Sequence, residues 1–153
     1  MKFQNEMINL YINIKMNIKE ITRQIEEDFS YLEDWDSKYE YIIELGKNLQ
    51  LIPEEFRIEE NKVSGCQSQV WLKSEIKDGL MYFSADSDAI ITKGLISLLI
   101  KVFSGQKPED IVNADLTFLD KIGMKEHLSP TRANGLMNMV KRIKEEAKKY
   151  INN

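Results

Sequence analysis

The chain reads as an α+β protein, with a small antiparallel sheet of about three strands packed against helices. Two stretches with helical spacing come first. Two short runs rich in β-branched and aromatic residues come next, joined across an Asp-Gly pair, and helical patterns then continue to the end. At 153 residues the chain suits one domain. Residues 18–153 are expected to form it, behind a poorly ordered extension at 1–17 that shares no period with the rest of the chain and makes Met16 an alternative start.

From Ile18 apolar residues return every three or four positions (Ile18, Ile21, Ile25, Phe29, Leu32), which is one face of a helix. A second helix is expected to open at Asp36 or Ser37, with Ser37 and Glu40 as a capping box. Its inner face would be Tyr39, Ile42, Ile43 and Leu49, and Pro53 marks the loop after it. The strand runs are 70–76 and 80–85, turned by Lys77-Asp78-Gly79, and a shorter strand near Lys62-Val63 is expected before them. Asp86, Ser87 and Asp88 offer oxygens to cap a helix over 89–103. That helix is apolar around most of its circumference, so it should be central, and Ser104-Gly105 ends it. Pro108 starts a short helical turn, and a second near 116–122 stops at Gly123. The last helix opens on Ser129-Pro130, an N-cap followed by Pro at the first helical position. Its inner face reads Leu136, Met139, Val140, Ile143, Ala147 and Tyr150, and 141–149 gives a solvated charged face.

Composition removes several function classes. Hydrophobic residues at 42% and charged residues at 30% describe an ordinary folded chain. A net charge of −4 does not supply the cationic surface that nonspecific nucleic-acid binding requires. The most apolar stretch, 89–103, is broken by Thr92, Lys93, Gly94 and Lys101, so no membrane span is expected. The first residues carry one early Lys, an apolar run cut by Asn9 and Asn13, and no small-residue cleavage site, so the expected location is cytoplasmic. One Cys and one His allow no intrachain disulfide, and alone they cannot furnish the ligands of a zinc site or an iron–sulfur cluster.

Cys66 is therefore the residue with chemistry to explain. A free Cys often serves as a small buried hydrophobe. Here Gly65 permits a sharp turn before it, Ser64, Gln67 and Ser68 are polar, and the alternation Val70-Trp71-Leu72 starts directly after. A thiol presented on a loop that runs into a strand fits this pattern. No Lys, Arg or His lies within three residues of it. A thiol of pKa about 8.5 is mostly protonated at neutral pH, so activation has to come from elsewhere in the fold or from a partner. A cysteine hydrolase would need His127 as base, although its position at a helix junction also suits a merely structural residue. Arg132 is one of four arginines and falls in the first turn of a helix, where a cation opposes the dipole. Position alone leaves open whether a site keeps it there.

The run Gly65-Cys66-Gln67-Ser68-Gln69-Val70-Trp71-Leu72 resembles the signature of the SufE family, sulfur acceptors of iron–sulfur cluster assembly. Four further blocks keep the family's order. They are Asp34-Trp35 with Tyr39; Tyr41-Ile42-Ile43-Glu44-Leu45-Gly46; Ala85-Asp86-Ser87-Asp88-Ala89 with Lys93-Gly94-Leu95; and His127-Leu128-Ser129-Pro130-Thr131-Arg132 with Asn134-Gly135-Leu136. The resemblance covers about 18–150. It departs in the leading segment and at Gln50-Leu51-Ile52-Pro53, where the family usually has Pro directly after the residue matching Leu49.

This resemblance implies a SufE/IscU-like fold and a sulfur carrier rather than an enzyme. Cys66 would accept persulfide sulfur from a cysteine desulfurase of SufS type, stimulate that enzyme, and hand the sulfur to a scaffold of SufBCD type. The pyridoxal phosphate belongs to the desulfurase, and the carrier needs no cofactor or metal of its own. The thiolate attacks the outer sulfur of the donor persulfide, so thiolate fraction and access govern the rate. On the family's pattern Gly65, Gln67, Ser68 and Gln69 shape the loop, while Arg132 and His127 lie near it. Asp86 and Asp88 cap the following helix and in a lesser role tune how the loop swings. The expected assembly is a monomer or weak homodimer. The rival readings are a hydrolase using Cys66 and His127, and a scaffold that builds a cluster on itself, which a single Cys disfavours.

Overall fold

The computed structural model describes residues 16–151. Of the extension expected at 1–17, residues 1–15 lie outside the described residues, whereas Asn17 belongs to the fold as the cap of the first helix, its Oδ1 accepting from Glu20 N at 2.9 Å. Helix α1 spans Ile18–Ser30 and α2 Trp35–Lys47; two 3-10 turns, Glu54–Phe56 and Glu59–Asn61, lead to strands β1 (Val70–Lys77) and β2 (Leu80–Ser87). Helix α3 spans Ile90–Phe103, followed by the short helices α4 (Pro108–Val112), α5 (Thr117–Lys121) and α6 (Met124–His127), and then by α7 (Pro130–Ile151).

The class is α+β, with a sheet of two antiparallel strands in register from Val70↔Ser87 to Lys77↔Leu80. Asp78 (φ 54°) and Gly79 (φ 81°) both take the left-handed region, as a two-residue hairpin turn requires. The expected third strand is reduced to one bridge, Lys62↔Trp71, with Val63 N donating to Val70 O at 2.8 Å. A 3-10 turn ends directly before it and Gly65 turns directly after it, so the extended stretch is too short for a strand. On the other edge, Leu51 bridges Ala85, with Ala85 N donating to Gln50 O and Ile52 N to Ala85 O, each at 3.2 Å. The segment in which this chain departs from the family pattern thus covers part of an open sheet edge.

Helix α3 is the centre of the core. Leu95, Ile96, Leu98, Leu99, Val102 and Phe103 are fully buried on it, against Val70 and Leu72 of β1 and Met81, Phe83 and Ala85 of β2. α2 approaches α3 so closely at Gly94 that a Cβ there would overlap the backbone carbonyl of Ile42. α7 adds Leu136, Met139, Val140, Ile143 and Ala147.

Several boundary expectations are corrected. Asp34, rather than Asp36 or Ser37, caps α2: its Oδ1 accepts from Ser37 N at 2.7 Å, and the helix starts at Trp35. α3 begins at Ile90 with no side-chain cap, because Asp86 and Asp88 are engaged elsewhere. Tyr150 remains 36% exposed, since α7 outruns the body that covers its inner face. The 141–149 stretch is not uniformly solvated. Glu146 accepts from Ser74 Oγ at 3.0 Å and from Arg142 Nε at 3.1 Å, which ties α7 to the hairpin. Ser129 does cap α7, its Oγ accepting from Arg132 N at 3.2 Å.

Candidate functional site

Residues 62–69 form a loop held at both ends. Gly65 adopts φ +83°, and the space a Cβ would take there is filled by Asn138, whose Nδ2 donates to Gly65 O at 3.1 Å. Past the cysteine, Gln69 N donates to Asp88 Oδ1 at 3.0 Å and Asp88 N donates to Gln69 O at 3.3 Å. Asp88 therefore fastens the far end of the loop to the approach of α3 instead of capping that helix.

Between these fastenings Cys66 is half-buried, and its thiol donates to Gly135 O of α7 at 3.5 Å. Burial pushes the thiol above its ordinary pKa, so at neutral pH it rests protonated. Beside it lies a cavity of about 60 Å³. Leu95 and Met139 give it apolar walls, Thr92, Ser129 and Thr131 bring hydroxyl-bearing side chains, and Arg132, Gln67, Ser68 and Gly135 complete the lining. A water needs roughly 10–15 Å³ of such space, so the cavity has room for one more atom of sulfur's size on the thiol. Arg132 is therefore a cation at the cavity that holds the Cys66 sulfur, carried there by the first turn of α7.

The other named residues lie apart from this cavity. The His127 ring stacks on Trp35, with centroids 3.8 Å apart and planes at 22°, and its backbone oxygen accepts from Tyr39 Oη at 3.0 Å. It is not among the side chains lining the Cys66 cavity. The expectation of His127 beside Cys66 is therefore corrected: α6 ends at His127 and directs its ring towards α2. This also removes the general base that a Cys–His hydrolase needs. Asp86 is 7% exposed and pairs with Arg57 at 2.5 Å and Lys93 at 3.4 Å. A carboxylate so deeply placed has to be paired. Arg57 also lies over the Trp71 ring, 5.8 Å from its centroid, so this cluster pins the 3-10 segment to the hairpin. Asp86 thus neither caps α3 nor lines the cavity.

Sequence reasoning missed Asn138, Arg57 and Lys93 as supports. Arg57 carried a faint signal as one of four arginines; Asn138 carried none, because its role depends on a contact across 73 positions. Among the described residues no group of three or more His, Cys, Asp or Glu gathers closely enough to hold a metal ion. No described helix is long and apolar enough to cross a membrane.

Comparison with known proteins identifies the family. The family model "SufE: Fe-S metabolism associated domain" matches residues 23–147. An uncharacterized SufE-like protein of Rhizobium meliloti is 48% identical over 129 residues, covering 81% of this chain and 92% of that protein. Another, from Rhizobium etli, is 47% identical over 130 residues, covering 82% and 88% respectively. The solution structure of a hypothetical protein from Thermus thermophilus superposes with a TM-score of 0.73 at 20% identity, over 87% of this chain and 97% of that one, which establishes a shared fold. With the family model spanning most of the chain and close relatives matched along nearly their whole length, the protein belongs to the SufE family and has a role in iron–sulfur metabolism.

Proposed function

We propose that Cys66 accepts persulfide sulfur from a SufS-type, pyridoxal-phosphate-dependent cysteine desulfurase in the cytoplasm. The protein stimulates that enzyme and passes the sulfur to a SufBCD-type scaffold, acting as a carrier with no cofactor of its own. The observation that carries this reading is the Cys66 cavity. One solitary thiol borders a space of about 60 Å³ that takes one further sulfur, with Arg132 at its lining.

In the transfer step the Cys66 thiolate attacks the outer sulfur of the donor persulfide. A new S–S bond forms at Cys66, the donor S–S bond breaks, and the donor cysteine departs as its thiolate, with no net oxidation. Arg132 supplies a cation for the Cys66 thiolate and for the anionic persulfide. The resting thiol, protonated by burial, does little until the docked donor opens the loop, which accounts for the lack of a base next to it. A second cysteine nearby would expel the sulfur as a disulfide, and the sequence has none.

The test is incubation with a cysteine desulfurase and free cysteine, followed by mass spectrometry of the intact chain and its peptides. The expected result is one added sulfur atom on Cys66, absent from Cys66→Ser. A chain that stays unmodified, or a Cys66→Ser variant that still gains sulfur, overturns the proposal.

A further inference from the structure

The stretch that leads into Cys66 lies along one stripe of α7, gripped by three residues about one turn apart on that helix. Gly135 O accepts the Cys66 thiol, Asn138 Nδ2 donates to Gly65 O, and Arg142 donates from Nη1 to Lys62 O at 2.9 Å and from Nη2 to Glu60 O at 2.7 Å. These grips differ in kind. The thiol is a weak donor, so the first one holds little. Arg142 is also paired with Glu146, which is itself bonded to the hairpin, so its grip belongs to the body of the fold. Asn138 grips the peptide unit directly before the cysteine. Its amide also packs into the space beside the Gly65 α-carbon that any larger residue at 65 would occupy. The left-handed turn and the amide therefore fit only together.

We propose that Asn138 is a positioning residue that sets how readily Cys66 leaves its cavity. Its hydrogen bond keeps the Gly65-Cys66 peptide closed over the cavity. When that bond opens, the cysteine can swing outward while Arg142 and the Asp88–Gln69 pair still hold the loop's two flanks. The consequence for sulfur transfer rests on the carrier reading above; the geometry does not.

The test is the rate of Cys66 alkylation by iodoacetamide as a function of pH, on the full chain. Wild type, Asn138→Ala and Asn138→Asp are compared, the last keeping the side chain's shape while replacing the donor with a carboxylate oxygen. One neutral hydrogen bond is worth about a two- to tenfold change in an opening equilibrium, so both variants should react faster by roughly that factor. The midpoint of the Asn138→Ala profile should fall towards that of a free thiol, because the sulfur spends more time in water. In Asn138→Asp the new carboxylate opposes that fall, so this variant is compared by its rate at alkaline pH, where the thiol is ionised. A purely structural role would lower the thermal midpoint without moving that profile.

Arg142→Gln is the control, since it loosens the flank without touching Gly65. Rates and profiles equal to wild type in both Asn138 variants overturn the proposal, as does an equal acceleration in Arg142→Gln. Sulfur loading from a desulfurase is measured separately. Loading of wild type with unchanged alkylation in the variants defeats the role of Asn138 alone. Faster alkylation in the variants with no loading of wild type supports Asn138 and defeats the carrier reading instead.

Discussion

Replacing Gly135 by Ala should make the protein more stable and a worse sulfur carrier. The added methyl would stand 3.6 Å from Cys66 Sγ, 3.9 Å from its Cα and 4.0 Å from its Cβ, all ordinary van der Waals contact. Nothing has to shift to admit it. Gly135 lies inside α7, where Gly costs about 0.5–1 kcal/mol relative to Ala through lost backbone freedom. For a chain of this size that gain raises the thermal midpoint by about 1–4 °C. The same methyl projects into the space of about 60 Å³ where the outer sulfur would sit, directly beside the thiol. A persulfide on Cys66 would then have to hold its terminal sulfur out in solvent, exposed to reductants. The assay pairs a thermal melt with mass spectrometry of the sulfur retained on Cys66 after a timed challenge with a mild thiol. A higher midpoint with faster sulfur loss is expected. Retention equal to wild type would refute the idea that this cavity shelters the sulfur, and a lowered midpoint would refute the account of the contact.

The same geometry sets other outcomes. Gly94→Ala sets a Cβ against the backbone carbonyl of Ile42, which cannot rotate away, so α2 must withdraw from α3. The cost is about 1–3 kcal/mol, read as a thermal midpoint lowered by several degrees, and an unchanged midpoint would contradict the close approach. Because burial raises the Cys66 pKa in the folded state, its contribution to stability is fully present below the unfolded thiol value of about 8.5 and is lost as pH rises beyond it. Denaturant midpoints measured from neutral to alkaline pH should fall less steeply in Cys66→Ser than in wild type; parallel slopes would contradict burial of the thiol. Arg132→Ala should slow Cys66 alkylation near neutral pH while leaving the thermal midpoint almost unmoved, because Arg132 is an exposed residue. Equal alkylation rates would show that its charge does not act on the sulfur.

The fold was legible where the signal is local. The Asp78-Gly79 turn needs two residues that tolerate positive φ, and that requirement is written at those two positions. The recurrence of Ile18, Ile25 and Phe29 at intervals of seven and four residues marks α1 because one helix face must be dry. The α2 cap lies two or three residues before the expected one: Asp34 and Ser37 are both good cap residues, and in the folded chain Ser37 N donates to Asp34 Oδ1. Asp86 was misassigned for a related reason. A carboxylate just before a helix looks like a cap until Arg57, 29 positions earlier, arrives to pair with it.

The sulfur site divides along the same line. A solitary cysteine after a glycine, with a polar rim and a strand beginning behind it, is a pattern of neighbours in the chain, and it was enough to single out Cys66. How deeply that thiol sits, how much room stands beside it and what restrains it depend on α7, whose Gly135 and Asn138 lie 69 and 73 positions away from the residues they touch. Short-range steric preferences act between adjacent residues and leave a trace in the order of the letters. Desolvation of a thiol and the shape of a cavity arise from surfaces that meet only after the chain has packed, so they belong to the folded molecule.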